Sequence, residues 1–128
     1  MIDYNDLIGK PFDEVNFNCY DLAREVFKRN GITIPKVNAG VSACRAATNQ
    51  EMEKQGKEHW ELIEQPEVPC GVIFLSSNPD FANHVGVYIG RGLIIHNTIN
   101  CAVAVDRLAK WKYKIIGYYR YVGNNNKD

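Results

Sequence analysis

A chain of 128 residues in which 15 Lys and Arg balance 15 Asp and Glu is long enough for one self-supporting core, and it lacks the basic footprint of a nucleic-acid binder. Its longest apolar runs, such as Val72 to Leu75 and Leu93 to Ile95, are far too short to span a bilayer, and the acidic, polar start Met1-Ile2-Asp3-Tyr4-Asn5-Asp6 is the opposite of a secretory signal. The expectation is a single domain over residues 1–122 with a disordered polar tail at 123–128, cytoplasmic when synthesised and either kept there or delivered to its target by something else.

In chain order, Tyr4 to Leu7 is read as a short helix. Asn18 to Arg29 is the clearest element. Asn18 is a good N-cap, and Cys19, Leu22, Ala23, Val26 and Phe27 follow the i, i+3, i+4, i+7, i+8 spacing of one helix face. Asn30-Gly31 ends that helix, with Pro35 shortly beyond. Ser42 to Gln55 is a polar helix or loop whose tip could border a site, and His59, beside Trp60 in a polar helical stretch, is taken as a surface residue. Glu58 to Ile63 leads into the rigid turn Pro66-Glu67-Val68-Pro69. Strands follow at Val72 to Leu75, His84 to Ile89, Leu93 to His96, Ala102 to Val105 and Ile115 to Val122, with a turn at Arg91-Gly92 and a short helical turn over Arg107 to Trp111. Helices first and antiparallel strands afterwards predict an α+β fold with the first helix packed on the sheet.

The chemistry starts at Cys19. On the first turn of a helix, unpaired backbone N–H groups and the positive end of the helix dipole favour a thiolate, and the same N–H groups, that of Cys19 among them, can hold an oxyanion. A general base must take the thiol proton, and histidine suits that task near neutral pH. His84 and His96, twelve residues apart on two strands joined by Arg91-Gly92, are the candidates. In an antiparallel hairpin the start of the first strand lies beside the end of the second, so one ring can hydrogen-bond the other and fix its tautomer. Cys19, Cys44, Cys70 and Cys101 are irregularly spaced and are read as free thiols. Without a C-x-x-C or H-x-x-x-H pair they anchor no metal, and no cofactor is expected.

Three blocks together, Phe17-Asn18-Cys19-Tyr20-Asp21-Leu22-Ala23, His84-Val85-Gly86-Val87-Tyr88-Ile89-Gly90 and Leu93-Ile94-Ile95-His96-Asn97, resemble in order and spacing those of NlpC-type cysteine peptidases. These are papain-like enzymes that mostly cut peptide stems of bacterial cell wall. The resemblance implies a papain-like α+β fold with Cys19 as nucleophile, His84 as base and His96 as the orienting group. It also implies a peptide or peptidoglycan substrate attacked through a thioester acyl-enzyme. Asn18, Tyr20, Asp21, Asn83 and Asn97, flanking these three, are the candidate substrate contacts. Ile8-Gly9-Lys10-Pro11-Phe12 and Gly117-Tyr118-Tyr119-Arg120 look most like compact members from bacteriophage tails, which implies a larger phage or secretion assembly as partner.

The chain departs from the family where Asn18-Cys19-Tyr20-Asp21 replaces the usual Asp-Cys-Ser-Gly, placing a bulky ring and a carboxylate beside the thiol. Two further readings therefore stay open. One is a thiol amidase, deamidase or acyltransferase acting on a cytoplasmic protein or small molecule. The other is a structural or interaction module that keeps the scaffold without using it.

Overall fold

The computed structural model describes residues 2–13, 16–34, 60–74, 84–98 and 101–123. Among these residues one helix, α1 (Cys19–Arg29), precedes six strands: β1 (Trp60–Ile63), β2 (Cys70–Phe74), β3 (His84–Gly90), β4 (Leu93–Thr98), β5 (Cys101–Arg107) and β6 (Ile115–Tyr121). A 3-10 segment, Leu108–Lys114, links β5 to β6. All strand pairs are antiparallel, in the order β1-β6-β2-β3-β4-β5. Helix first and antiparallel sheet afterwards is the α+β arrangement expected from the order of patterns.

α1 obeys its sequence pattern closely. Leu22, Ala23, Val26 and Phe27 are buried, and with Cys19 and Tyr20 they pack on Ile73, Val85, Val87, Ile95 and Val103 from the sheet. The helix stops at Asn30, whose backbone N–H donates to the Phe27 carbonyl at 2.9 Å, and Gly31 follows with φ +85°, a conformation costly for any residue with a Cβ. Arg29 fixes the other end of this layer through a bidentate pair with Asp6 at 2.6 and 2.7 Å and a contact with Glu25 at 2.8 Å.

The opposite face of the sheet carries a second, smaller cluster. Val72, Phe74 and Ile94 are buried there beneath Leu108, Trp111, Ile115 and Tyr118, so the 3-10 segment covers this face as α1 covers the other. Strand alternation sets the two layers apart: successive side chains of one strand point to opposite faces.

Several elements differ from the sequence reading. Residues 4–7 form hydrogen-bonded turns, with the Leu7 N–H on the Tyr4 carbonyl at 2.9 Å, and not a helix. Trp60, expected in a helical stretch, opens strand β1 and is buried against Phe27 and Tyr121. Its apolar bulk decides the matter, because pairing with β6 lets the indole fill the space beneath α1. Ser42 to Gln55, His59 and residues 124–128 of the tail lie outside the described residues.

Candidate active site

α1 presents Cys19 as its first residue. Asn18 Oδ1 accepts the backbone N–H groups of Tyr20 and Asp21, both at 3.0 Å, while Asp21 Oδ2 accepts the N–H of Asn18 at 3.0 Å. This is a complete capping box, with a carboxylate where the helix dipole favours negative charge. The cap thus engages Asn18 and Asp21, two of the expected substrate contacts, and it removes the Tyr20 and Asp21 amides from those that could hold an oxyanion. Tyr20 itself is buried in the core under α1.

The turn before Cys19 is tied to the sheet. Asn97 of β4 is buried, and its Nδ2 donates to the Phe17 carbonyl at 3.4 Å, while its Oδ1 has no partner among the described residues. Because β3 and β4 run antiparallel, the end of β4 lies beside the start of β3, where His84 stands. The start of α1 and the start of β3 therefore share one end of the sheet. Asn83 lies outside the described residues.

Register brings the two histidines together. A two-residue turn, Arg91 (φ +57°) and Gly92 (φ +73°), joins β3 to β4 with the left-handed conformations that match strand twist. Gly90 pairs with Leu93, but Tyr88 pairs with Ile94, so β3 carries one extra residue, a β-bulge at Ile89. Without the bulge, the regular continuation from Gly90–Leu93 would send His84 and His96 to opposite faces, since a one-residue slip inverts every side chain. With it, both rings lie on the face of Phe74 and Trp111, opposite Val85, Val87 and Ile95 beneath α1.

Nε2 of His84 is 3.3 Å from Nδ1 of His96, and Nε2 of His96 is 2.8 Å from Oδ2 of Asp106 on β5. Trp111 Nε1–H donates to the same Oδ2 at 3.2 Å, and Lys110 Nζ stands 3.8 Å from Oδ1. Phe74 stacks on His84 with ring centroids 5.4 Å apart, and Trp111 meets His96 edge-on at 5.2 Å. Gly86 makes room for this packing. A Cβ there would lie 3.0 Å from His96 Cβ, 3.1 Å from Phe74 Cε2 and 3.2 Å from the Ile95 carbonyl oxygen.

The electrostatics follow from these neighbours. Burial, helped by the adjacent His96, pushes His84 down to about 3, so the ring is neutral at pH 7 although the residue as a whole is only half-buried. Burial works to raise Asp106, but hydrogen bonds from His96 and Trp111 and the charge of Lys110 prevail and hold its carboxyl below the usual range. Cys70 is a buried, free thiol pushed up to about 11 by burial, and Cys101 is free and exposed. The Cys19 sulfur, by contrast, is in a disulfide, which corrects the expectation of four free thiols. Cys44 lies outside the described residues.

The sequence reading missed Asp106, Phe74, Gly86 and Trp111. Two signals were present: an acidic residue closing the apolar run Cys101-Ala102-Val103-Ala104-Val105, and a glycine inside a strand, which often marks a close approach.

The model of the NlpC/P60 family matches residues 8–120. The chain belongs to the NlpC/P60 family. Members of the NlpC/P60 family are generally cysteine peptidases or amidases that act on peptidoglycan. Among solved structures, the chain is similar to a lipoprotein-like protein of the NLP/P60 family from Staphylococcus aureus subsp. aureus Mu50. The two are 19% identical with a TM-score of 0.57, and the match covers 93% of this chain and 39% of that one. At that identity the likeness speaks for the NlpC/P60 fold, and this chain spans well under half the length of that relative. Among curated proteins none matches the chain.

Proposed function

We propose that this domain is a papain-like cysteine hydrolase that cleaves an amide bond in the peptide stems of bacterial peptidoglycan. Cys19 is the nucleophile, His84 the general base and then acid, and His96 the group that orients His84. The observation that carries this reading is the 3.3 Å contact between His84 and His96 at the end of the sheet to which the Cys19 turn is tied through Asn97. Membership of the family supplies the substrate class.

In this mechanism neutral His84 takes the Cys19 proton, and the thiolate adds to the amide carbonyl. The tetrahedral intermediate collapses as the C–N bond breaks, and imidazolium His84 gives its proton to the departing amine. Water, deprotonated by His84, then attacks the thioester, releasing the carboxylic acid and restoring the thiol. The disulfide at Cys19 must be reduced before the first step. The likeness of Ile8 to Phe12 and Gly117 to Arg120 to phage-tail members supports delivery to the wall by a larger phage or secretion assembly.

Digestion of purified peptidoglycan, with mass spectrometry of the soluble fragments, tests the reading. Wild type in dithiothreitol should release fragments with new amino termini, while Cys19→Ala, or wild type without reductant, should not. Identical fragment profiles for reduced wild type and Cys19→Ala would end the peptidase reading.

Burial of Cys19 at 1% exposure, together with its disulfide, favours a second reading, a non-catalytic interaction module. Under it, Cys19→Ala retains the full biological role while wall cleavage is absent in every form.

A further inference from the structure

We propose that Asp106 is a positioning residue that sets the tautomers of both histidine rings, leaving Nδ1 of His84 as the nitrogen that takes the proton. This inference rests on the reading of His84 as general base. It begins at Oδ2 of Asp106, on which two ring nitrogens converge: Nε2 of His96 at 2.8 Å and Nε1 of Trp111 at 3.2 Å. An indole nitrogen only donates, so this oxygen is an acceptor. Lys110 stands 3.8 Å from Oδ1, and the carboxyl is held ionised, so Asp106 has no proton to offer. Nε2 of His96 must therefore be the donor.

The consequence passes along the relay. In the proposed resting state His96 carries a single proton, on Nε2, and so has a lone pair on Nδ1, which needs a donor. Nε2 of His84, 3.3 Å away, is placed to supply it. His84 then carries its own proton on Nε2 and a lone pair on Nδ1. Register makes the chain of contacts possible: Ile94 pairs with Asp106 and His96 with Ala104, so Asp106 sits diagonally across from His96 on the same sheet face. Phe74 and Trp111 hold the two rings from the sides, which limits their rotation away from these partners.

The other tautomer has a chemical cost. If His96 carried its proton on Nδ1, it would donate to Nε2 of His84 and leave the His84 proton on Nδ1, where a base needs a lone pair. Loss of Asp106 removes what distinguishes the two arrangements. Its removal should therefore impair proton transfer and leave substrate binding intact.

Long-range 1H–15N correlation spectra of the reduced, 15N-histidine-labelled full chain at pH 7.5 read the tautomers directly. Both His84 and His96 should be protonated on Nε2 in wild type. In Asp106→Ala, His96 should show a mixture of tautomers, and kcat on wall peptides should fall on the order of tenfold to a hundredfold with KM nearly unchanged. Asp106→Asn, whose amide oxygen can still accept from Nε2–H, should keep the wild-type tautomers and most of the activity.

A wild-type His96 protonated on Nδ1 overturns the proposal, as does an Asp106→Ala spectrum identical to wild type. The wild-type spectrum decides even where Asp106→Ala does not fold. Wild-type tautomers as stated, with no wall cleavage by the reduced enzyme, would instead refute the hydrolase reading and leave the role of Asp106 in ordering the rings intact.

Discussion

The two parts of the site are built by different means. At the start of α1, the residues that present Cys19 are mostly its neighbours in sequence: Asn18 caps, Asp21 returns the cap, and the apolar spacing turns Leu22, Ala23, Val26 and Phe27 toward the sheet. In the β3–β4–β5 region, His84, His96 and Asp106 are up to 22 positions apart and meet only because two strand registers agree with a bulge at Ile89. Local hydrogen bonds thus fix the setting of Cys19, and pairing across strands fixes the pair of histidine rings. The first should yield gradually to substitution and the second abruptly, because a register is either kept or lost.

The severest way to break the contrast is insertion of one alanine between Gly86 and Val87. With the Val87–Ile95 and Tyr88–Ile94 pairs kept, the extra residue should send His84 to the face opposite His96 and exchange the faces of Val85 and Gly86, or force the strand to re-pair. Wall cleavage should be abolished, with a loss in stability on the order of 3 kcal/mol or more. Urea unfolding and peptidoglycan digestion measure the two. A variant that retains activity would show that strand register does not set the ring pair.

Gly86→Ala probes the same region more gently. The new methyl would meet His96 Cβ, Phe74 and the Ile95 carbonyl, so it should cost about 1–3 kcal/mol, typical of overpacking, and displace the rings from each other. Activity should fall more steeply than stability, since proton transfer depends on hydrogen-bond geometry. Equal losses in both would indicate that Gly86 serves packing alone.

Acid should act on the histidine pair before the rest. His84 binds its proton near 6.5 when unfolded and near 3 when folded, so between these values the unfolded chain holds the extra proton. Stability attributable to His84 is therefore complete above about pH 6.5 and is lost as pH falls from there toward 3. Asp6, Glu67 and Asp106 have depressed folded-state values, so their contributions persist until pH drops through the carboxylate range. Melting temperature should thus decline between pH 6.5 and 4.5 in wild type and much less in His84→Gln. Parallel declines in the two proteins would assign the effect elsewhere.

The smallest expected effect belongs to the local region. Asn18→Ala removes the acceptor for the Tyr20 and Asp21 amides and should cost about 1 kcal/mol, the usual worth of an N-cap. Calorimetry should find a melting point lowered by a few degrees, with the fold and the ring tautomers intact. A collapse of the His84–His96 contact in this variant would mean that the two regions are less independent than their construction implies.

What the sequence by itself determined is the matter carried by neighbours along the chain. Cap, helix face and helix stop were all legible from Asn18 to Gly31, because i, i+3 and i+4 relations are fixed by helix geometry alone. The Arg91-Gly92 turn was legible for the same reason, as were most of the strands flanking it. The spacing of His84 and His96 marked them as partners, yet spacing could not say which face either ring takes, since that depends on a bulge whose effect is to shift parity by one. Only the tertiary structure decided that question. It also recruited Asp106 and Trp111 from elements no pattern linked to the histidines, placed Trp60 in a strand because the space beneath α1 needed its bulk, and closed Cys19 into a disulfide. Each of these is a contact between residues distant in sequence, and only packing brings such residues together.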